Sequence, residues 1–176
     1  MRRRHPPIPR VWLMTDERMG NALWAALDRL PRGAGVVFRH YAVAPGERRL
    51  LMRNVAKVAR KRGLILVRAG EGLGARKDGV HNGRAARAGL RTASAHSRLE
   101  AIAAIRAGAD ALFVSPVFAT RSHAEGRTLG RVRFGLMIRG LGVPVIALGG
   151  MNRARGRGLR ALGAYGWAGI DAWLNG

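Results

Sequence analysis

Ala111-Leu-Phe-Val-Ser-Pro-Val-Phe-Ala-Thr120 and, further on, Val143-Pro-Val-Ile-Ala-Leu-Gly-Gly150 are apolar runs that each end in a turn. Runs without polar alternation imply strands covered on both faces, as parallel strands are. The first leads into Thr120-Arg-Ser-His-Ala-Glu-Gly-Arg-Thr-Leu-Gly130. That is long for a connection in a compact domain, and long loops carry function more often than short connectors do. In the second, paired glycines remove side chains where a backbone can approach an anion. Function is therefore expected at these strand ends.

Outward from these two runs the period alternates between that of a strand and that of a helix. Strands are expected at residues 11–14, 36–38, 64–67, 79–81, 90–94, 111–115, 143–148 and 167–170. Helices are expected at 21–30, 47–62, 98–107, 132–141 and 153–162. Gly63, Gly108, Gly142 and Gly163 fall near helix ends, and Ser97 and Asn152 stand where N-caps belong. Eight strands alternating with helices predict an α/β fold, a compact closed (β/α)8 TIM barrel. Its helices are expected to be shortened or missing after strands 3, 4 and 8. An open doubly wound sheet is the alternative, favoured by the short chain and opposed by the strand count. Residues 1–9 read as a basic, proline-rich segment and 10–176 as a single barrel domain.

Composition sets limits on the chemistry. The chain has 176 residues and no cysteine, which excludes disulfides, thiolate catalysis and Cys-ligated metal. No apolar run is long enough to span a bilayer, and the basic start lacks the apolar stretch of a secretion signal, so a cytoplasmic location and no membrane partner are expected. Lys plus Arg number 32 against 10 Asp plus Glu, a net charge of +22, which attracts phosphates and nucleic acid. Only three of those cations are lysine, Lys57, Lys61 and Lys77. The arginines are scattered over nearly every expected helix face, as a coding bias would scatter them. No basic stripe interleaved with aromatics is evident, so nucleic acid is kept as an alternative partner.

At the residues quoted first, the chain resembles the thiamine phosphate synthase and TenI family of barrels. There a motif like Gly-Pro-Val-Phe-x-Thr-x-(Ser/Thr)-Lys ends the sixth strand, and Ala-Ile-Gly-Gly-(Ile/Met) the seventh. The counterparts are Ser115-Pro-Val-Phe-Ala-Thr-Arg-Ser-His123 and Ala147-Leu-Gly-Gly-Met151. Leu13-Met-Thr-Asp16, Asp78-Gly-Val-His81, Ala93-Ser-Ala-His-Ser97 and Ala107-Gly-Ala-Asp110 continue the similarity in order and spacing. The resemblance implies an enzyme of thiamine biosynthesis, a transferase joining an aminopyrimidine diphosphate to a thiazole phosphate and expelling pyrophosphate with help from magnesium.

The same resemblance places site residues. Of the family's Gln-x-Arg-x-Lys on the second strand, Val37-Phe-Arg-His-Tyr41 keeps Arg39. The third strand's Asn-Asp is Arg68-Ala69, the Gly-Gln-(Glu/Asp)-Asp after the fourth is Gly83-Arg-Ala-Ala86, and the loop lysine is His123. Both magnesium-coordinating carboxylates are thus absent, so magnesium is implied only by the family and no metal ligand is assigned. Arg39, Arg68, Arg84 and His123 are candidates to supply the missing charge electrostatically. His40 and His123 are the candidates for proton transfer, while His81 and His96 are expected to be structural. TenI-type tautomerases use a histidine where Pro116 stands. A phosphate is expected at the amides of Gly149, Gly150, Ile170 and Asp171, with Ser94, Ser115, Thr120 and Ser122 as hydroxyl donors; Asp171 stands where the family usually has Ser.

Three functions follow as expectations: a synthase-like protein that joins or binds a small phosphorylated heterocycle; a divergent TenI-like member that is tautomerase-like, regulatory or ligand-binding; and a basic RNA-associated protein. A homodimer is expected on Trp167, Trp173 and their apolar neighbours, which lack a final helix to cover them.

Overall fold

A computed structural model of the chain describes residues 6–73, 79–83, 89–120 and 128–174. Eight strands close into one barrel in chain order: β1 (Val11–Met14), β2 (Gly35–Phe38), β3 (Ile65–Ala69), β4 (Gly79–His81), β5 (Leu90–Ala95), β6 (Ala111–Val114), β7 (Val145–Ala147) and β8 (Gly166–Gly169). Every neighbouring pair is parallel, and β1 closes the ring by pairing Val11 with Trp167 of β8. The expected barrel and its strand count are therefore observed, and the open sheet is not.

Strand alternation splits the core into an inside and an outside. Trp12, Met14, Val37, Val67, Ala69, Leu90, Phe113 and Ile146 fill the barrel. Trp12 and Phe113 meet edge to face, with ring centroids 5.2 Å apart. The indole N–H of Trp12 donates to Pro9 O at 2.7 Å, and Tyr165 Oη to Ile8 O at 2.9 Å. Ile8 and Pro9, in the segment set apart from the domain in the sequence, thus pack onto the barrel floor. Leu13, Val36, Phe38 and Leu66 face outward and are covered by α1 (Ala22–Arg29) and α2 (Pro45–Arg62). Leu112, Val114 and Val145 are covered by α3 (Arg98–Arg106), α4 (Gly130–Ile138) and α5 (Arg153–Leu159).

Local signals hold where they rest on a cap. Ser97 accepts from Glu100 N at 3.2 Å and Asn152 from Arg155 N at 2.9 Å, fixing where α3 and α5 begin. The α2 helix starts two residues earlier than its apolar period, because Pro45 fits the first helical position. It ends at Gly63, which is left-handed (φ 65°). The α5 helix stops at Leu159 and tightens into a 3-10 turn, Arg160–Leu162. Among the described residues, the connections from β3 to β4 and from β4 to β5 hold no helix, and β8 is followed by a 3-10 turn, Asp171–Trp173. No described helix is long and apolar enough to cross a membrane.

Of the pair expected to be exposed, Trp167 is buried and Trp173 is half-buried. Trp167 is only 8% exposed, and the two indoles stack at 5.2 Å with their planes 4° apart. Among the described residues the large exposed apolar side chains are Tyr41, Leu50, Leu99, Val132, Leu136 and Leu162, the most exposed being Leu99 on α3 and Val132 on α4.

Candidate functional site at the barrel mouth

Seven of the eight strands send residues to one cavity of about 310 Å³ at their C-terminal ends. Met14 comes from β1, Arg39 from the end of β2, His81 and Asn82 from β4, and Ser94 and His96 from β5. Ser115, Pro116 and Thr120 follow β6, Leu148 to Met151 follow β7, and Gly169 to Asp171 close the ring at β8. The site therefore sits where parallel barrels place it, on the loops after the strands.

The third strand contributes no lining residue. Val67 and Ala69 point into the barrel, so Arg68 between them belongs to the outer face, where its Nε is buried without a hydrogen-bond partner. Arg68 therefore does not join Arg39 in the cavity lining. Arg84, Ser122 and His123 lie outside the described residues.

The guanidinium of Arg39 is fixed at the wall. Its Nε donates to Thr15 O at 3.0 Å and its Nη2 to Asp16 Oδ2 at 3.1 Å. Asp16 also takes Arg18 Nε at 2.7 Å, and this hydrogen bond, ahead of the opposing effect of burial, holds its carboxyl below the usual range. Asp16 thus offsets part of the charge that Arg39 would bring to an anion.

His40 lies beside this group but outside the cavity lining. It is 4% exposed, stacks on Phe38 at 4.8 Å and bonds through Nδ1 to Thr15 Oγ1 at 2.9 Å. Burial lowers its pKa, with the carboxylates of Glu17 and Asp16 pulling the other way. A ring enclosed in this way holds the end of β2 and has no access to a ligand in the cavity.

The two histidines expected to be structural are the ones that line the cavity. His81 bridges two hydroxyls, Thr92 Oγ1 at 3.0 Å from Nδ1 and Ser94 Oγ at 3.1 Å from Nε2. Its ring is 2% exposed and rests on the edge of Phe113. Burial lowers its pKa from 6.5 to about 4, with Arg39 adding to the effect. A neutral imidazole donates at one nitrogen and accepts at the other, so the two hydroxyls take opposite roles. Asn82, whose place the sequence left unremarked, completes the group: its Oδ1 accepts from Ser94 N at 2.7 Å and its Nδ2 donates to Ser94 Oγ at 3.4 Å. Its position one residue after β4 was the available signal, since residues after barrel strands face the mouth. His96 Nδ1 lies 2.9 Å from Ser115 O and must carry the proton there, because a carbonyl only accepts.

The burial of His81 has a consequence that can be measured. Between pH 6.5 and about 4 only the unfolded chain binds this proton, so the stability present above pH 6.5 is lost as pH falls through that window. The full interval corresponds to about 3 kcal/mol. Melting curves of wild type and His81→Gln from pH 7 to pH 4 are expected to show a steeper acid loss in the wild type; parallel profiles would contradict the assignment.

Gly149 and Gly150 are both left-handed, at φ 91° and 59°. Their first effect is on packing: a Cβ at Gly149 would lie 2.7 Å from Pro116 Cα, and one at Gly150 2.4 Å from Ala119 O. The loops after β6 and β7 therefore run backbone to backbone, joined by Val117 N to Leu148 O at 2.9 Å and Phe118 N to Gly149 O at 3.1 Å. Both glycines and Ile170 line the cavity, as do Ser94, Ser115 and Thr120. Asp171 lines it too, within electrostatic reach of Arg18.

Among the described residues the donors do not fit a magnesium ion. The Ala69 methyl is fully buried, the Asp16 carboxylate is engaged by two arginines, and no three potential metal ligands cluster among the described residues.

Known proteins of this architecture include thiamine phosphate pyrophosphorylase from Pyrococcus furiosus, which superposes with a TM-score of 0.76 at 22% identity, covering 95% of this chain and 88% of that one. The corresponding protein of Bacteroides thetaiotaomicron gives a TM-score of 0.59 at 17% identity, over 94% and 84%. In sequence, a putative thiamine-phosphate synthase 2 of Aquifex aeolicus is 38% identical over 81 residues, which span 46% of this chain and 44% of that protein. The thiamine-phosphate synthase of Chlorobium phaeobacteroides is 28% identical over 95% of this chain and 89% of its own length. The thiamine monophosphate synthase family model, TMP-TENI, matches residues 12–173, and the chain belongs to that family.

Proposed function

We propose that this chain binds one phosphorylated heterocycle of the thiamine phosphate synthase reaction, a thiazole phosphate in the first place, at the barrel mouth. The observation that carries the reading is the cavity of about 310 Å³, lined by both the Gly149-Gly150 turn and Ser94. Its volume is at the lower end for small-molecule sites, which suits a single ring with a phosphate better than two substrates together. Backbone amides at the β7 and β8 ends are the phosphate donors, and Ser94, held by His81 and Asn82, is the polar contact for the ring.

Joining the two substrates would require more. Charge accumulates on the departing pyrophosphate and has to be met by a cation. The family resemblance implies magnesium for this, and the described residues offer no ligand set for it. A second reading, transferase activity without metal, is favoured by one observation: the Arg39 guanidinium stands in the cavity wall. The test combines calorimetry with thiazole phosphate and a coupled assay with both substrates, each with and without magnesium. Saturable binding that magnesium leaves unchanged, with no thiamine phosphate formed, is expected. Product without magnesium would establish the second reading, product only with magnesium would place metal ligands in residues outside those described, and absence of binding would end the proposal.

A further inference from the structure

A second concavity lies on the outer wall of the barrel, between α1 and α5 and over the outer side of β8, with a volume of about 690 Å³. Its lining includes five arginines and no carboxylate. Arg153, Arg157 and Arg160 come from α5 and the turn that continues it, at the spacing i, i+4, i+7 that places three side chains on one face. All three are exposed. Arg155 leaves that face for the barrel mouth, where it donates to Gly150 O and lies over the Phe118 ring.

The opposite wall is held by backbone. Arg10 Nη1 donates to Tyr165 O at 2.9 Å and Arg29 Nη1 to Trp173 O at 3.0 Å. Between the walls lies the stacked pair Trp167 and Trp173, of which Trp173 is the more exposed. Gly156 lets α5 sit on this pair: a Cβ there would lie 2.3 Å from the Trp167 ring.

Like charges at i, i+4 destabilise a helix, and α5 is already weak, with two glycines in seven residues. Helix stability does not account for the arrangement. A bound anion does. The row of three guanidinium groups extends over about 10 Å of axis, which tracks a chain of charges better than a single ion. Guanidinium forks match phosphate oxygens, and Trp173, half-buried in the same lining with one face on Trp167, adds aromatic surface that suits a base better than an acidic peptide. We propose that this groove binds single-stranded nucleic acid, with its phosphates on the α5 arginines and a base against Trp173. The sequence hides this stripe because its arginines and tryptophans come from separate segments that only the barrel brings together.

The test is fluorescence anisotropy of the full chain with a labelled oligouridylate of about twelve nucleotides, near 0.15 M salt. The triple variant Arg153→Ala/Arg157→Ala/Arg160→Ala is compared with Arg49→Ala/Arg53→Ala/Arg60→Ala, which removes the same charge from exposed positions of α2. The groove variant is expected to bind about tenfold more weakly or worse and to lower the salt-dependence slope by about 2, while the α2 variant loses less than about threefold. Matching melting curves certify that both are folded. Equal losses in the two variants, no saturable binding by the wild type, or equally effective competition by polyglutamate would overturn the proposal.

Discussion

Arg48→Ala is expected to lower stability by about 3 kcal/mol and to weaken ligand binding at the mouth at least about tenfold, although Arg48 lines no part of the cavity. One guanidinium there serves four carbonyls. Its Nε donates to His40 O at 2.8 Å, its Nη2 to Arg39 O at 2.9 Å and Ala69 O at 2.6 Å, and its Nη1 to Glu71 O at 2.9 Å. These carbonyls belong to the loops after β2 and β3, so the side chain ties two strand ends whose connections have little else in common. Arg48 sits in the first turn of α2, where a cation opposes the helix dipole at a cost of about 0.3–1 kcal/mol. Hydrogen bonds to a charged group contribute about 1.5–3 kcal/mol each, so the tie outweighs that cost. Removing it strands buried acceptors and frees the backbone of Arg39, whose side chain forms part of the cavity wall. For a chain of this size the stability loss corresponds to about 6–12 °C in Tm. Arg48→Lys should rescue little, because a single ammonium cannot span four carbonyls. Thermal unfolding and calorimetry with thiazole phosphate read both effects. A lysine variant as stable as the wild type would show that the fork geometry is not what matters.

The barrel was legible because its strands are continuous apolar runs and each is punctuated. All eight strands stand at the expected places, and the caps at Ser97 and Asn152 fixed helix starts to the residue. Ends set by tertiary contact were less legible: the strand at 79–81 was expected, but β3 runs on past Val67 to Ala69 because Arg68 and Ala69 pair with Val80 and His81 of β4, a register that the apolar pattern does not carry. The site was legible as a set of strand ends and less so as chemistry. Gly149, Gly150, Ser94, Ser115, Thr120, Ile170, Asp171 and Arg39 do converge on one cavity. The histidines divide otherwise than chain order implies, because the face a strand residue takes is decided by barrel register. His81 falls on the inner side and His40, past the end of β2, turns back onto Phe38 at positive φ. A positive φ at a non-glycine residue is not written in sequence, and with the bond to Thr15 Oγ1 it accompanies the placement of His40 outside the cavity lining.

Gly150→Ala is expected to destabilise the fold by about 3 kcal/mol and to abolish ligand binding at the mouth, whereas Gly142→Ala should cost only about 1–2 kcal/mol and leave binding intact. The two positions share a left-handed backbone, φ 59° and 72°, so both carry the strain of placing a Cβ in that region. They differ in what the new atom meets. At Gly142 nothing lies within 4 Å, while at Gly150 the Cβ would stand 2.4 Å from Ala119 O and 2.9 Å from Phe118 Cβ. A carbonyl oxygen cannot rotate away as a side chain can, so one of the two loops has to move. The β6 loop is held by Gly130 N to Val117 O and Leu129 N to Pro116 O, each at 2.9 Å, and the β7 loop by the Arg155 guanidinium on Gly150 O. Relief must therefore break contacts on one side or the other, and both sides are cavity wall. The difference between the two variants isolates the contact from the backbone strain. If Gly150→Ala proves no more costly than Gly142→Ala and still binds thiazole phosphate, the backbone-to-backbone packing of these loops is not what shapes the site.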